Sequence, residues 1–302
     1  MVVGSTNMDM VIKTHHIPVP GETVLSGSFF MNPGGKGANQ AVAVARLGGE
    51  VAFVSKVGYD VFGKQSTQLF EEEGINTSYM LSDDELPSGV ALITVDDAGE
   101  NSIVVASGAN ANLLPGDLQE ALSPIASAAI LLMQLEIPMK TVEFVAEYAA
   151  SRGVRVILNP APMNELNDTL LHNIDIITPN ETEAERLTGM KIKNIDHAKK
   201  AAKAIYNMGV KKVVVTMGHL GAVICENGKT TTVAAPGVEA VDTTAAGDVF
   251  NGALAVALSE GKLLAEAVEF ACRAASISVT RLGAQSSIPL RNELIAAIKT
   301  KN

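Results

Sequence analysis

The stretch best suited to chemistry spans residues 242–248 and runs directly into an apolar segment that predicts a helix. Asp242 or Thr243 is expected to cap this helix, and small residues then leave its first N–H groups uncovered. Uncovered N–H groups at a helix start attract anions, because the helix dipole adds to their charge. Asp248 falls in the first turn, and a carboxylate beside an anion site suits phosphoryl transfer. The small residues are Ala245, Ala246 and Gly247.

A structural cap is the alternative for the same residues. Many helices begin with Asp, Thr and Gly for capping alone, so these residue types by themselves favour the structural interpretation. A catalytic role therefore needs support from elsewhere in the chain.

A second polar helix start follows the glycine-rich stretch 32–40, where Gly34, Gly35 and Gly37 permit close approach of the backbone to a ligand. Lys36 and Asn39 add polar groups at the same place. The stretch lacks the spacing of a P-loop, and no G-x-G-x-x-G fingerprint follows a strand, so a nicotinamide oxidoreductase is not supported. Without accompanying signals, a simple turn is the usual explanation of such a stretch.

The composition excludes several classes of function. The formal charge of −10 argues against nonspecific nucleic-acid binding, and it means that a nucleotide site needs local help from helix ends, backbone amides and metal ions. No apolar run approaches the ~20 residues of a membrane span, and the five histidines lack the spacing of a zinc site. Two distant cysteines, Cys225 and Cys272, without a signal-peptide pattern predict reduced thiols and a cytoplasmic location.

From residue 51 onward, continuous apolar runs alternate with amphipathic segments. This alternation predicts an α/β fold with a doubly wound, mostly parallel sheet flanked by helices on both faces. With 47% apolar residues and no linker, the chain 1–302 is expected to form one domain. The predicted strands are 51–54, 129–134, 154–158, 174–178 and 212–216, and the predicted helices are 61–73, 139–151, 196–208, 246–259, 264–280 and 290–299.

Two patches of shorter strands interrupt this alternation. The first patch contains strands at 11–13 and 23–31, and the second contains strands at 89–95 and 101–106 joined by a hairpin turn. We interpret both as one small sheet outside the main body, formed by about 10–33 and 87–107. Its apolar content suits a lid or an oligomer contact.

Polar residues follow the predicted strands at several points, and ligands of open α/β sheets bind outside these carboxyl ends. Asn7 and Asp9 follow the first apolar run and are candidate hydroxyl binders, although an Asx-turn is the more common explanation. Glu181 and Glu185 suit a solvated helix start, and His219 suits a turn. The other residues at strand ends are Glu136, Asn159, 180–183 and 216–221.

Together these stretches resemble the ribokinase family, within the larger ribokinase-like group of carbohydrate and nucleoside kinases. The resemblance covers essentially the full chain. It depends on two widely separated motifs, GGKGANQAVA at 34–43 and DTTAAGDVFNGA at 242–253. Shorter matches lie at 132–136, 159–162, 178–185 and 280–285.

The resemblance implies an α/β body with a β-sheet lid that commonly forms a homodimer contact. It implies ATP-dependent phosphorylation of the 5-hydroxyl of D-ribose, with Asp248 as the base. The N–H groups of Ala245, Ala246 and Gly247 would form the anion hole. Asp9 is expected to bind the 2- and 3-hydroxyls. The residues expected to hold the sugar are Asn7, Asp9, Gly35, Lys36, Asn39, Glu136 and Asp248.

The resemblance also implies sites for ATP, magnesium and potassium. Glu183 would help to hold Mg²⁺ through water, and a potassium ion would order the anion-hole turn. Ala245 stands where many relatives have Gly. The expected nucleotide positions are Asn180, Thr216, Gly218, Gly221, Gly247 and Cys272, the last near the adenine. The expected potassium positions are Asp242, Thr244, Ser278, Arg281, Gly283 and Ser287.

Two other functions stay open at this point. A kinase of deoxyribose, or of another small sugar or nucleoside, would use the same chemistry. A non-catalytic sensor of sugar or nucleotide is the other, although a sensor would not need a base, an anion hole and Glu183 together.

Overall fold

The computed structural model describes residues 1–25 and 27–299, with the side chains of all of these except 297–299. Within them the chain forms a nine-stranded sheet with helices on both faces and a separate four-stranded sheet. Successive residues of the inner strands enter different cores: Val2 and Leu132 pack on one face, and Val3 and Met133 on the other. Because both faces are buried, these strands are continuous apolar runs in the sequence.

The strands of both sheets are numbered together in chain order. They are β1 (Val2–Val3), β2 (Asn7–Lys13), β3 (Ser28–Gly34), β4 (Ala52–Gly58), β5 (Asn76–Asp83), β6 (Gly89–Val95), β7 (Asn101–Ala106), β8 (Ile130–Met133), β9 (Arg155–Leu158), β10 (Ile176–Ile177), β11 (Lys212–Thr216), β12 (Ala222–Glu226) and β13 (Lys229–Val233).

The large sheet has the order β13-β12-β11-β10-β9-β8-β1-β4-β5. Its seven strands from β11 to β5 are parallel, and β12 and β13 add an antiparallel hairpin at one edge. The chain leaves β1 toward β4 on one side and later returns to β8 on the other. This reversal beside β1 is the point at which open α/β sheets bind ligands, and it confirms the predicted doubly wound fold.

In the described part of the chain, ten helices accompany the large sheet, and short 3-10 turns lie between some of them. Phe70 and Val249 belong to the core of one face, and Val145 and Ile205 to the core of the other. The helices are α1 (Lys36–Arg46), α2 (Val61–Glu72), α3 (Leu122–Ser127), α4 (Met139–Ser151), α5 (Asp168–Asn173), α6 (Glu181–Thr188), α7 (Ile195–Asn207), α8 (Ala246–Ser259), α9 (Leu264–Ser278) and α10 (Arg291–Lys299).

Helices α1 and α8 pack against each other through small residues. A Cβ atom added to Gly252 on α8 would lie 2.5 Å from the Cβ of Ala43 and 3.0 Å from the carbonyl oxygen of Gln40. Only glycine permits this separation, because real Cβ atoms do not approach so closely. The two helix starts that the sequence analysis singled out are therefore carried by directly adjacent helices.

The four-stranded sheet has the order β3-β2-β6-β7, with β2 and β6 as its two central, parallel strands. Its presence confirms the predicted small sheet. Its strands differ from the predicted ones, since β2 already begins at Asn7 and β3 runs from Ser28 to Gly34 rather than over 23–31. Within the predicted segments, residue 26 lies outside the described residues, as do residues 300–302 of the predicted single domain.

Three strands were not predicted. β5 is mostly polar and only half buried, so it has no continuous apolar run. β12 and β13 form a hairpin around Asn227 and Gly228, whose φ angles of 51° and 71° are typical of the tightest hairpin turns. An Asn-Gly pair between alternating residues was the signal that could have indicated this hairpin.

Candidate active site

Asp248 lies in the first turn of α8 and lines a cavity of about 220 Å³ at the carboxyl ends of β9, β10 and β11. Asp248 is only 5% exposed, and its carboxylate oxygens accept hydrogen bonds from Asn39 Nδ2 and Gln40 Nε2, both at 2.9 Å. Burial raises the pKa of this carboxyl, and the opposing effects of Lys36, Asn39 and Gln40 do not cancel the increase. A carboxylate with a raised pKa is a better proton acceptor than an exposed one.

The turn before α8 is organised by Asp242, which does not cap the helix. The Asp242 carboxylate accepts from the Thr244 amide at 2.9 Å, from the Thr244 hydroxyl at 2.6 Å and from the Gly283 amide at 2.8 Å. The N-cap residue is Ala245, in the left-handed region with φ of 59°, and no side chain caps the helix. The prediction that Asp242 or Thr243 caps α8 is therefore wrong: the carboxylate is used within the turn.

The amides of Ala245 and Gly247 at the start of α8 are free to bind an anion. Among the described residues, no acceptor contacts the amides of Ala245 and Gly247, and a Cβ added to Gly247 would meet no atom within 4 Å. The Ala246 amide differs, because it donates to the Thr243 carbonyl at 3.2 Å. The free donors and the helix dipole point into the cavity that Asp248 lines, which is the arrangement expected of an anion hole.

The start of α1 lies beside that of α8, and its N–H groups are occupied by protein groups. Its N-cap is Gly35, with φ of 89°, and a Cβ there would lie 2.8 Å from the Asn7 nitrogen. The Lys36 amide donates to Glu136 Oε2 at 2.9 Å, and the Ser5 hydroxyl donates to the same oxygen at 2.6 Å. Glu136 therefore supplies the negative charge that this helix start attracts.

Four carboxylates act electrostatically on the partly buried Lys36 side chain. Burial alone would lower the pKa of Lys36, but attraction to Asp248, Glu136, Glu183 and Asp9 outweighs it and raises the pKa. The ammonium is therefore charged, and it is the group available to offset negative charge in the cavity that it lines.

Asp9 has a strongly perturbed pKa. Burial, together with the negative charges of Glu136 and Asp248, raises the pKa of Asp9 to about 7, although Lys36 acts in the opposite direction. Perturbation of this size through burial and nearby charges is typical of functional sites.

Asn7 is held by a second buried amide. Asn110 Nδ2 donates to Asn7 Oδ1 at 2.8 Å, while Asn110 also bonds the backbone N–H and carbonyl of Thr6 at 2.8 and 2.9 Å. Since the Asn7 oxygen is engaged, its NH₂ group is the part of the side chain left to bind a ligand.

The residues predicted to bind nucleotide lie on two adjacent segments beside the cavity. Asn180 caps α6 and forms a parallel bridge with Thr216. Gly221 has φ of 97°, and a Cβ there would lie 2.0 Å from the Val233 carbonyl oxygen, so the turn after β11 requires glycine. Gly218, with φ of 51°, belongs to the same turn. Cys272 differs: it packs in the apolar core on α9 and does not line the cavity that contains Asp248.

Glu183 lines the cavity and completes a capping box. Its carboxylate accepts from the Asn180 amide at 2.9 Å, and its own amide donates to Asn180 Oδ1 at 2.8 Å. Burial raises its pKa although that hydrogen bond and Lys36 lower it. A single carboxylate that faces a phosphate site fits Mg²⁺, which keeps several waters.

The positions predicted to bind potassium lie on two neighbouring loops. Asp242 reaches the Gly283 amide, and the amides of Val241 and Asp242 both donate to the Val279 carbonyl. Arg281 pairs with Glu293, so its side chain is not available and only its backbone oxygen could serve. Oxygen donors alone are present, which suits a hard cation. The other predicted positions are Thr244, Ser278 and Ser287.

Several buried amides around Asp248 were not predicted from the sequence to have a role in the site. Gln40 donates to both Asp248 and Asn159, and Gln134 donates to Gln40. Asn251 accepts from the Thr178 hydroxyl at 2.6 Å and donates to the Gly247 carbonyl at 2.8 Å. Asn251 had a signal, because it is a polar residue three positions after Asp248 in an otherwise apolar helix.

No helix in the part of the chain that the structure describes is long and apolar enough to span a membrane. In the same residues, no three His, Cys, Asp or Glu side chains are grouped so that they could hold a metal ion.

A family comparison extends over nearly the whole chain. The model of the pfkB family of carbohydrate kinases matches residues 1–291. This range contains both glycine-rich helix starts, the small sheet and every residue of the cavity.

Individual relatives agree with this match. The chain is 47% identical over 294 residues to a ribokinase of Haemophilus influenzae, with 97% of this chain and 96% of the relative covered. It is 38% identical over 289 residues to a deoxyribokinase of Salmonella typhimurium, with coverage of 95% and 94%. Among solved structures, the ribokinase of Arabidopsis thaliana complexed with ribose and ATP superposes with a TM-score of 0.93, at 36% identity and with 99% and 97% of the two chains covered.

Proposed function

This chain belongs to the pfkB family of carbohydrate kinases, and from that premise we propose that it transfers the γ-phosphoryl group of ATP to the 5-hydroxyl of D-ribose. The products are ribose 5-phosphate and ADP. The observation that carries the proposal is a buried carboxylate, Asp248, beside the free amides of Ala245 and Gly247. Base and anion hole meet in one cavity, and the ribokinases at up to 47% identity indicate the acceptor.

Asp248 accepts the proton of the 5-hydroxyl as its oxygen attacks the γ-phosphorus. The bond between the γ-phosphorus and the bridging oxygen breaks, and the electron pair leaves with ADP. Burial favours this role, because it raises the proton affinity of the carboxylate in the absence of competing water.

The anion hole stabilises the charge of the transferring phosphoryl group. The amides of Ala245 and Gly247 donate to its oxygens, with Ala246 as a weaker contributor because its amide is already engaged by Thr243. Lys36 lines the same cavity and offsets the negative charge that develops there.

The sugar lies between the start of α1 and strand β2 in this proposal. Asp9 accepts from the 2- and 3-hydroxyls, and Asn7 donates through its free NH₂ group, because Asn110 holds its oxygen. Paired donors and acceptors of this kind suit vicinal hydroxyls. The remaining sugar contacts are assigned to Gly35, Lys36, Asn39 and Glu136.

ATP binds along the segments that carry Asn180 and Thr216, with Gly218, Gly221 and Cys272 toward the adenine. Glu183 holds Mg²⁺ through water, and Mg²⁺ supplies charge neutralisation for the phosphates. Potassium is assigned to the loops of Asp242, Thr244, Ser278, Arg281, Gly283 and Ser287. Bound there, it would order the turn that presents the anion hole.

The small sheet acts as a lid and as a homodimer contact in this proposal, and the location is cytoplasmic. Supporting this, its outer residues Phe29, Leu92 and Val104 are 58%, 54% and 66% exposed, which is unusual for a sheet face that contacts only water. Sedimentation of the wild type and of Leu92→Glu tests the contact: we expect the variant to lose the dimer, and a monomeric wild type would exclude it.

A coupled ADP-release assay tests the function. With Mg²⁺ and K⁺, we expect turnover with ribose to exceed turnover with deoxyribose, fructose and nucleosides, and to fall when potassium is omitted. Preference for deoxyribose would instead match the Salmonella relative and would assign a different acceptor to the same chemistry. Absence of ADP production with every sugar would favour a sensor.

A further inference from the structure

The carboxylate of Asp248 is held by a chain of buried amides that belongs to no substrate contact described above. Gln40 Nε2 donates to Asp248 Oδ1 at 2.9 Å and to Asn159 Oδ1 at 3.1 Å. Gln134 Nε2 donates to Gln40 Oε1 at 2.6 Å. Gln40 and Gln134 are fully buried, and Asn159 is 6% exposed.

The side-chain amides of this hydrogen-bonded row can be oriented in only one consistent way. Both N–H bonds of the Gln40 amide are used, one on Asp248 and one on Asn159, so its oxygen must face Gln134. Gln134 must then present its NH₂ group, because an amide oxygen at that place would face the oxygen of Gln40. The Gln134 donor therefore matches and supports the orientation in which the NH₂ group of Gln40 faces Asp248.

The anchors of the chain are rigid. Gln134 directly follows β8 and Asn159 directly follows β9, both in the middle of the parallel sheet. Gln134 Oε1 has no hydrogen-bond partner among the described residues. A buried amide that leaves its oxygen unpaired is costly, and the compensating feature is the donor that it supplies to Gln40.

We propose that Gln40 and Gln134 are positioning residues that fix the orientation of the Asp248 carboxylate toward the acceptor hydroxyl. Gln134 acts through Gln40: it has no hydrogen bond to Asp248 and is not among the residues that line the cavity. The proposal rests on the proposed role of Asp248 as the base. It predicts an effect on the rate of the chemical step rather than on the binding of either substrate, because the reacting oxygen is displaced while the binding groups stay in place.

The chain also acts on the ionisation of Asp248. The charged groups that face this carboxylate are Lys36 on α1, Glu136 after β8, Asp9 on β2 and Glu183 on α6. Lys36 favours the ionised form and the three carboxylates oppose it. The Gln40 N–H bond adds to the effect of Lys36, so loss of the chain should move the acid limb of the kcat profile to higher pH.

The first test is Gln134→Met, which removes the donor to Gln40 at the far end of the chain. We expect kcat to fall about tenfold, with the KM values for ribose and ATP changed less than about twofold, since misplacement of reacting groups lowers the rate by one to two orders of magnitude. The matched control is Thr141→Val, which removes one equally buried hydrogen bond, from the Thr141 hydroxyl to the Leu113 carbonyl at 2.7 Å. Equal kcat for the two variants would overturn the proposal.

A second variant tests the proposal if Gln134→Met does not fold. Gln40→Glu keeps the shape of the side chain and its acceptor for Gln134, but it replaces the donor to Asp248 by a carboxylate. We expect a larger fall in kcat, about 100-fold, and a shift of the acid limb toward higher pH. A kcat profile equal to that of the wild type would contradict the chain.

A readout independent of turnover separates this proposal from the proposed function. In protein labelled with ¹³C at the aspartate carboxyl carbons, the signal that Asp248→Asn removes reports the titration of Asp248. We expect this titration to move to higher pH in Gln134→Met and to stay in place in Thr141→Val. If no sugar is phosphorylated but the shift occurs, the proposed role of the amide chain is supported and the kinase assignment fails. If Asp248 titrates in Gln134→Met as it does in the wild type, the proposed role of the amide chain is wrong.

Discussion

Two helix starts lie side by side in this protein, and their N–H groups differ in whether protein groups accept from them. Both α1 and α8 follow a residue of positive φ, Gly35 at 89° and Ala245 at 59°, and neither has a side-chain cap. At α1 the amides are taken by Glu136 and Ser5. At α8 the amides of Ala245 and Gly247 are left free.

The other helices differ in how they begin. Four of them, α2, α5, α6 and α7, begin with an Asp or Asn side chain that accepts from the third residue of the helix. Helices α3, α4 and α9 also begin without a side-chain cap, so a missing cap does not by itself mark a functional helix start. The uncapped starts of α1 and α8 differ in whether other protein groups accept from their N–H groups. At α1 they do, so the helix start holds protein groups in place; at α8 the amides of Ala245 and Gly247 are left for an anion.

The largest expected effect tests the base that lies at the free helix start. Asp248→Asn keeps the shape of the side chain but cannot accept the hydroxyl proton, so kcat should fall by roughly 10²–10⁴-fold. Calorimetric titration should show near-normal binding of ribose. Turnover within a few-fold of the wild type would remove Asp248 from the mechanism.

The next effect tests the free amides themselves. Gly247→Pro deletes one N–H group in the first helical turn, where no intrahelical bond is lost, and kcat should fall about 10²–10³-fold. Gly247→Ala retains the N–H group, and its Cβ meets no protein atom within 4 Å, so its kcat should fall far less. Thermal unfolding of both variants checks the constraint that the proline ring places on Ala246. Equal losses in the two would contradict the anion hole.

A smaller effect concerns the sugar side, where protein carboxylates fill the helix start. The pKa of Asp9 is raised to about 7, so Asp9 loses its charge as the pH falls below that value. An uncharged carboxyl accepts hydroxyl hydrogen bonds less well, and the KM for ribose should rise about tenfold from pH 8 to pH 6. In Glu136→Gln the loss of a neighbouring negative charge should move this rise to lower pH. A KM independent of pH would exclude Asp9 as a sugar ligand.

The same raised pKa has a consequence for stability. Between the unfolded pKa near 4 and the folded value of about 7, the folded protein binds the extra proton, so the contribution of Asp9 to stability is lost as the pH rises through about 7. Asp9→Asn removes this dependence. Relative to the wild type, its free energy of unfolding should therefore be about 1–3 kcal/mol higher (the variant more stable) at pH 8 than at pH 5.

The smallest effect concerns the backbone of the anion-hole turn. Ala245→Gly relieves the cost of holding a side chain in the left-handed region, but it also makes the unfolded chain more flexible. The first effect should be the larger, so the free energy of unfolding should rise by about 0.5 kcal/mol. The control is Asn227→Gly, at the other non-glycine residue of positive φ in the described chain. Asn tolerates this region better, so its gain should be smaller. Denaturant unfolding measures both, and a loss of stability in Ala245→Gly would show that its methyl group stabilises the turn.

The sequence predicted the large sheet and most of its helices because both depend on apolar periodicity. It predicted the small sheet for the same reason but missed the start of β2, since Asn7 and Asp9 are polar residues within a strand. The β12–β13 hairpin escaped although Asn227 and Gly228 form a clear turn signal.

The site was predicted unevenly. Local motifs indicated the residues around Asp248 and Lys36, because spacing along one helix start is visible in the sequence. The amide chain was not, because Gln134 and Gln40 lie 94 residues apart and meet only through the fold. The cap of α8 was predicted wrongly, since the sequence does not reveal that Asp242 binds the Gly283 amide, 41 residues away.

The glycine at position 252 has a consequence for how the two substrates meet. It lets α1 and α8 approach until their backbones nearly touch, with Gly252 against Ala43 and Gln40. In the proposed function, one of these helices presents groups for the sugar and the other presents groups for the phosphate. The hydrogen atom that Gly252 carries in place of a side chain then helps to set the gap between the two bound substrates, and a methyl group there would push α1 and α8 apart.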